Sequence, residues 1–292
     1  MNEKQIILGT VQLGMNYGIN NVYGRPSKKE AFSILEKAEN YKIKYIDTAS
    51  AYGDAERIIG EFHHRYYRQK FKVCTKLILQ ERDIYKLEKI VEETMERLNV
   101  SQIEVLYLHR FEQVKNSEIL IGLQDLKKKE LVNKIGVSIY EPNELIYILS
   151  FIAHYIDVVQ LPYNILDNIR WDELIKQSHE KNIEIFIRSV FLQGLLFKEL
   201  DDPVIENLGA EKYIQLLRKL QKQKNVSMEK LLFDFCFQSK ADGILLGCET
   251  EEQIMKNAEL FNQSSCLCDK DIIDIKNYVK DIDKKIIDPR KW

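Results

Sequence analysis

Residues 43–76 read IKYIDTASAYGDAERIIGEFHHRYYRQKFKVCTK. IKYID (43–47) is a short β-branched and aromatic run, and FKVCTK (71–76) is another of the same kind. Between them, DAERIIGEFH (54–63) spaces its apolar residues as a helix does. The unit is strand, helix, strand. Its first strand ends on an acid, Asp47, and a phenol, Tyr52, follows in the loop just before Gly53.

The alternation extends in both directions. Upstream, QIILGT (5–10) is strand-like and SKKEAFSILEKAENY (27–41) is helical; Ser27 and Glu30 have the spacing of a capping box. Downstream, RDIYKLEKIVEETMERL (82–98) keeps Ile84, Leu87, Val91, Met95 and Leu98 on one helical face. Strands follow at 103–109, 132–138, 156–161, 183–189 and 243–247. Between and after them lie helical segments near 117–129, 142–150, 172–180, 210–223, 228–238 and 250–261. The strands are nearly uninterrupted apolar runs, as parallel strands buried on both faces require. Connections are short and no Pro/Gly/Ser-rich linker divides the chain. Eight strand–helix units in 292 residues predict an α/β fold, a (β/α)8 barrel formed as a single domain over residues 1–292.

Composition narrows the function. Forty-three basic against 45 acidic side chains leave a net charge of −2, which argues against nucleic acid or an anionic membrane as a partner. Cys74, Cys236, Cys248, Cys266 and Cys268 form no CxxC pair and no zinc-spaced cluster, so reduced thiols and no metal are expected. No apolar run reaches the ~18 residues of a membrane span, and none near the N-terminus suits a signal peptide; a cytoplasmic protein is expected. No two of the 12 glycines sit two apart, which removes the GxGxxG fingerprint. Any nucleotide cofactor is therefore held in another way.

In barrels of this kind the active site lies at the C-terminal ends of the strands. Strand 2 ends in Asp47 with Tyr52 beyond it, strand 3 ends in Lys76, and strand 4 ends in His109. Each alone has an ordinary reading: a cap, a packed aromatic, a surface lysine, a core histidine. Together they occupy three consecutive strand ends and make a proton-donating set. A free phenol, with a pKa near 10, is a weak acid at neutral pH, and an adjacent ammonium favours its ionised form. An aspartate holds that ammonium in place, and a histidine N–H can bind a carbonyl oxygen. The set suits carbonyl reduction with the hydride supplied from elsewhere.

Other stretches match a known pattern. ILGTVQLG, DTASAYGDAE, CTK, YLHR, IGVSIYEPNEL, VVQLPYNILD, RSVFLQGLL and LLGCETEEQIMKN cover most of the chain. They resemble the aldo-keto reductases, (β/α)8-barrel oxidoreductases that use a nicotinamide cofactor without a Rossmann fold. The resemblance implies Tyr52 as general acid/base, Lys76 and Asp47 as the groups that tune it, and His109 as the group that orients the substrate carbonyl. It implies cofactor contacts from Gly9, Thr10, Ser138, Gln160, Arg188, Gly194, Gly247, Gln253 and Asn257. A small carbonyl or alcohol substrate is expected, with a sugar or nucleotide sugar the narrower form. A cofactor-binding regulatory or scaffolding subunit with little turnover is the alternative; the intact set of four argues against it.

Three departures stand out. The family often has Ser-Asn where this chain has Ser138 and Ile139, which shifts carboxamide binding toward Gln160. Arg188 stands where a tyrosine commonly stacks on the nicotinamide. Its plane can stack on a ring, and its charge suits an anionic substrate or a different cofactor contact. Thr250 to Gln253 has capping-box spacing at a helix start, a natural anion site. Glu249 and Glu251 crowd that turn, and Lys256 is the nearby base. NADP(H) is the implied cofactor, with NAD(H) the alternative. Substrate-pocket walls are expected from Tyr17 to Tyr23, the loop around Phe111, and the tail IIDPRKW (286–292).

Overall fold

The computed structural model describes residues 4–66 and 71–292; residues 1–3 and 67–70 of the expected single domain lie outside the described residues. Eight parallel strands close into a barrel in sequence order. They are β1 (Gln5–Gly9), β2 (Tyr45–Asp47), β3 (Lys72–Leu77), β4 (Ile103–Leu108), β5 (Val132–Ser138), β6 (Val158–Pro162), β7 (Glu184–Arg188) and β8 (Gly243–Gly247). Closure is made by β1 against β8, where Ile7 pairs with Leu245 and Gly9 with Gly247.

Thirteen α-helices surround or cap the barrel among the described residues: α1 (Val11–Gly14), α2 (Lys28–Asn40), α3 (Ala55–Arg65), α4 (Leu87–Leu98), α5 (Ser117–Lys128), α6 (Pro142–Tyr147), α7 (Ile169–Glu180), α8 (Pro203–Leu208), α9 (Glu211–Lys224), α10 (Met228–Phe237), α11 (Glu251–Phe261), α12 (Asp269–Val279) and α13 (Lys284–Ile287). The capping box predicted for α2 forms: Ser27 Oγ accepts from the Glu30 amide at 3.3 Å, and Glu30 Oε2 accepts from the Ser27 amide at 2.8 Å. Two expected helices begin or end differently. Residues 81–86 form a 3₁₀ segment ahead of α4, and α6 passes into a π-helical turn at Ile148–Ile152. The short α1 and α8 and the C-terminal α12 and α13 are not among the helices expected from periodicity, the last of which ends at 261.

Successive strand side chains point to opposite faces, and here the two phases separate cleanly. Leu8, Ile46, Val73, Leu106, Ile135, Val159, Ile187 and Leu246 join the apolar clusters shared with the helices. Ile7, Cys74, Val105, Val158, Phe186 and Leu245 form a separate buried cluster inside the barrel. Moving two residues along each strand from this inner layer reaches Gly9, Lys76, Tyr107, Gln160, Arg188 and Gly247; Asp47 lies two beyond the inward Tyr45, and Ser138 two beyond Gly136. The top layer of the barrel interior is therefore polar, and it is contributed by all eight strands.

Candidate active site

The polar layer is organised around one buried ion pair. Lys76 and Asp47 are 1% and 3% exposed, so their charges have little water to compensate them. Lys76 Nζ donates to Asp47 Oδ1 and to the Thr48 carbonyl at 3.1 Å. Gln160 Nε2 donates to the other carboxylate oxygen, Asp47 Oδ2, at 2.7 Å. Burial by itself lowers a lysine's pKa; Asp47 and Tyr52 outweigh it and hold Lys76 above its ordinary value. The ammonium is charged and locked in place. The Asp47 carbonyl is tied in turn to Thr10, by its amide at 3.0 Å and its hydroxyl at 2.9 Å.

Tyr52 is placed by a turn rather than a strand. Its amide donates to the Ala49 carbonyl at 3.0 Å, and its own carbonyl accepts from the Ala55 amide at 3.0 Å, at the start of α3. Gly14, at the end of α1, lies flat against this turn: a Cβ there would overlap the Tyr52 carbonyl oxygen. Gly53 has φ +53°, in the left-handed region that favours glycine, and its own Cβ would collide with the Gly14 carbonyl. The phenol ring so positioned stands 5.2 Å from Lys76 Nζ, measured to the ring centroid. It meets the His109 ring edge-on, with centroids 6.1 Å apart and planes at 87°.

His109 follows β4 in the inward phase of Tyr107, and its amide donates to the Leu77 carbonyl at 2.9 Å. Burial, then the charges of Lys76, Arg188 and Arg110, push its pKa down to about 4. The ring is neutral near pH 7, and its buried Nδ1 has no partner among the described residues. The Tyr107 hydroxyl is buried against the Gln160 side chain, and no other partner for it or for Gln160 Oε1 stands among the described residues.

These groups open on one cavity of about 690 Å³. All four residues of the proposed catalytic set line it, as do Gly9, Thr10, Ser138, Gln160, Arg188, Gly194, Gly247, Gln253 and Asn257. The β1 loop contributes Tyr17 and Tyr23 to its wall, as expected. The other two expected walls are corrected. Phe111 is buried against Tyr147, ring centroids 5.6 Å apart, and does not reach the cavity. The tail stops behind Tyr140, where the Arg290 guanidinium lies 3.8 Å from the ring centroid. Gln12, Tyr140 and Gln193 also line the cavity; they lie within stretches that carry the resemblance but are not among the contacts it implies. Tyr140 was findable, two residues beyond inward Ser138; Gln12 sits on a single helical turn too short to leave a periodic signal.

At the far end of the cavity, the predicted capping box at Thr250 forms in only one direction. Thr250 Oγ1 accepts from the Gln253 amide at 3.3 Å, but Gln253 Oε1 takes the amide of Glu249, one residue upstream, at 2.7 Å. Gln253 Nε2 also reaches Glu249 Oε2 at 3.2 Å. Burial pushes the Glu249 carboxyl up. Asn257 Nδ2 lies 3.3 Å from Cys248 Sγ. Among the described residues no group of three or more His, Cys, Asp or Glu side chains is placed to hold a metal, and no helix is long and apolar enough to cross a membrane.

A closed eight-stranded parallel barrel whose C-terminal rim carries a buried Lys–Asp pair beside a tyrosine and a neutral histidine defines a class of barrel with an enzyme-like site. The model of the Aldo/keto reductase family matches residues 5–278, and the chain belongs to that family of oxidoreductases, which use nicotinamide cofactors. It is 26% identical over 176 residues to D-arabinose 1-dehydrogenase of Saccharomyces cerevisiae, covering 56% of this chain and 50% of the yeast protein. It is 25% identical over 227 residues to the NADH-specific methylglyoxal reductase of Escherichia coli, covering 66% and 69% of the two. The chain thus spans half the length of the yeast relative and about two thirds of the bacterial one. Among solved structures, the glycerol dehydrogenase of Gluconobacter oxydans superposes with a TM-score of 0.77 at 21% identity, over 97% of this chain and 94% of the other, a likeness of fold.

Proposed function

We propose that the protein interconverts an aldehyde or ketone and the corresponding alcohol, with Tyr52 as the acid that protonates the carbonyl oxygen. The observation that carries this reading is the Tyr52–Lys76–Asp47–Gln160 chain at the cavity wall, with neutral His109 edge-on to the phenol. Lys76 sets a fixed positive charge beside the phenol. Asp47 keeps that charge in place and is itself held at both oxygens. His109, neutral, offers a ring N–H to the carbonyl oxygen and adds no second acid. The oxygen is thus met by two donors, of which only Tyr52 delivers its proton. In the reverse direction the phenolate takes the alcohol proton. A sugar-like substrate is the narrower form of the proposal, supported by the Tyr17 and Tyr23 rings in the wall.

The cavity suits a nicotinamide cofactor. Gln160 Oε1 is a buried acceptor at the cavity wall, suited to a carboxamide N–H. Gly9 and Gly247 leave bare backbone at the β1–β8 seam, where a Cβ at Gly247 would strike Gln12. Thr10, Ser138, Gly194, Gln253 and Asn257 are the remaining proposed contacts; Arg188 is a contact that cofactor and substrate would share. When bound, the cofactor supplies or accepts the hydride at the carbonyl carbon. NADP(H) is the first reading, with Lys256 the base in the wall available to a 2′-phosphate. NAD(H) is the second, favoured by one observation: Glu229, Glu249 and Glu252 line the same wall.

Tyr52→Phe is expected to lower kcat by about 10²–10⁴-fold, while fluorescence titration finds cofactor affinity nearly unchanged. Full reductase activity in the variant rules Tyr52 out as the acid. Parallel titrations of the wild type with NADPH and NADH decide between the cofactors, and binding of neither removes the cofactor assignment.

A further inference from the structure

Arg188 ends β7 on the inward phase and lines the cavity half-buried. Its position is well defined. Nη2 donates to the Ile139 carbonyl at 3.0 Å, Nη1 donates to Ser189 Oγ at 3.3 Å, and the guanidinium lies on the Tyr140 ring, 4.2 Å from its centroid. What it lacks is a counter-charge. Among the described residues no carboxylate comes within 4.0 Å of it. Comparable part-buried arginines are paired: Arg170 with Asp167 at 2.6 Å, and Arg97 with Glu56 at 3.0 Å. Even Arg290, on the other contact of Tyr140, is neutralised by Asp288 at 2.7 Å.

Asp47, the acid of the polar layer, is already committed. Asp47 spends one oxygen on Lys76 and the other on Gln160, so it cancels the lysine and nothing more. The catalytic end of the cavity therefore carries one uncompensated positive charge, fixed on a planar fork with N–H groups to spare. The bond of Arg188 to the carbonyl of Ile139, next to Ser138, and its place two residues along β7 from Phe186 of the inner layer hold it in the same polar layer as Lys76 and Gln160. A half-buried, unpaired cation costs stability. The cost is offset when a ligand brings the missing anion.

We propose that Arg188 is a specificity residue which binds an anionic group, carboxylate or phosphoryl, carried by the carbonyl substrate close to its reacting carbon. The inference rests on the carbonyl–alcohol reading above. A guanidinium held by stacking and by two hydrogen bonds presents its remaining N–H groups in fixed directions, which suits two-point binding of either anion.

The test compares matched carbonyls in the presence of whichever cofactor binds: succinic semialdehyde against butanal, and glyceraldehyde 3-phosphate against glyceraldehyde. In the wild type, kcat/KM for at least one charged partner is expected to exceed that of its neutral match by about tenfold or more. Whichever pair shows the preference identifies carboxylate or phosphoryl as the group bound. Arg188→Met should collapse that ratio, chiefly through KM, with Arg188→Lys recovering part of it; cofactor affinity by fluorescence should fall far less than the ratio does. Inorganic phosphate or acetate should compete with the neutral aldehyde in wild-type protein, raising KM and leaving kcat, a readout that stands even where a variant does not fold. Neutral carbonyls preferred in the wild type, a ratio insensitive to Arg188→Met, or a loss of cofactor affinity equal to the loss of ratio each overturn the inference alone. Turnover of no carbonyl, with cofactor bound, overturns the reductase reading and takes this inference with it.

Discussion

His109 shows how one side chain's behaviour is set by its surroundings. Its ordinary pKa of 6.5 is lowered to about 4, by burial first and then by three cations. As pH falls through 6.5 the unfolded chain takes up this proton and the folded chain does not. This group's contribution to stability is thus full above pH 6.5, declines as pH falls toward about 4, and changes no further below that. An NMR titration of the ring should give a midpoint near 4, and His109→Gln should flatten the pH dependence of the urea midpoint in that window. A midpoint close to 6.5 would mean that the ring is not enclosed as described. The residue type, its place at a strand end and its neighbour Arg110 were readable from the sequence; the enclosure was not, because Lys76 and Arg188 reach it from β3 and β7. Gln160 is similar. Its strand was legible, but its bond to Asp47 joins residues 113 apart in the chain.

At the scale of elements, period two did most of the positioning. Once the strands were recognised, one pleat phase implied which side chains entered the barrel, and that phase carries Asp47, Lys76, Ser138, Gln160 and Arg188 together. The turn that bears Tyr52 depends on something else, the contact between α1 and the loop after β2. Gly14→Ala should force the Tyr52 backbone outward, since the added methyl overlaps its carbonyl oxygen. A displacement of ~1 Å can cost about 100-fold in rate, so kcat should fall by about that much in protein whose circular dichroism still shows a folded barrel. Undiminished kcat in such protein would show that the glycine contact does not position the phenol. This requirement was hidden in the sequence because α1 is a single turn, and the two glycines meet across 39 residues. The half-formed cap at Thr250 has the same lesson: its spacing was right, but Gln253 found a closer amide at Glu249.

Across the whole molecule, the C-terminal segment braces the barrel without entering the cavity. Ile286 and Ile287 are buried, and Lys284 and Arg290 reach Glu141 at 3.0 and 3.7 Å, below the loop that carries Tyr140. Truncation after Asp283 should cost about 3 kcal/mol or more from the two isoleucines alone, read as a lower urea midpoint, while cofactor affinity stays close to that of the full chain. An unchanged midpoint would mean that the tail's packing adds nothing. The sequence by itself determined the barrel, its eight strands, the four groups proposed for proton transfer and the kinship of the chain, because all of these are written in local periodicity and short motifs. The tertiary structure alone decided that Asp47 is shared between Lys76 and Gln160, that the tail stays behind Tyr140, and that Arg188 has no acid beside it among the described residues. Those are properties of closure: a ring of eight strands brings together side chains from every part of the chain, and the charge balance at its centre exists only once the ring is shut.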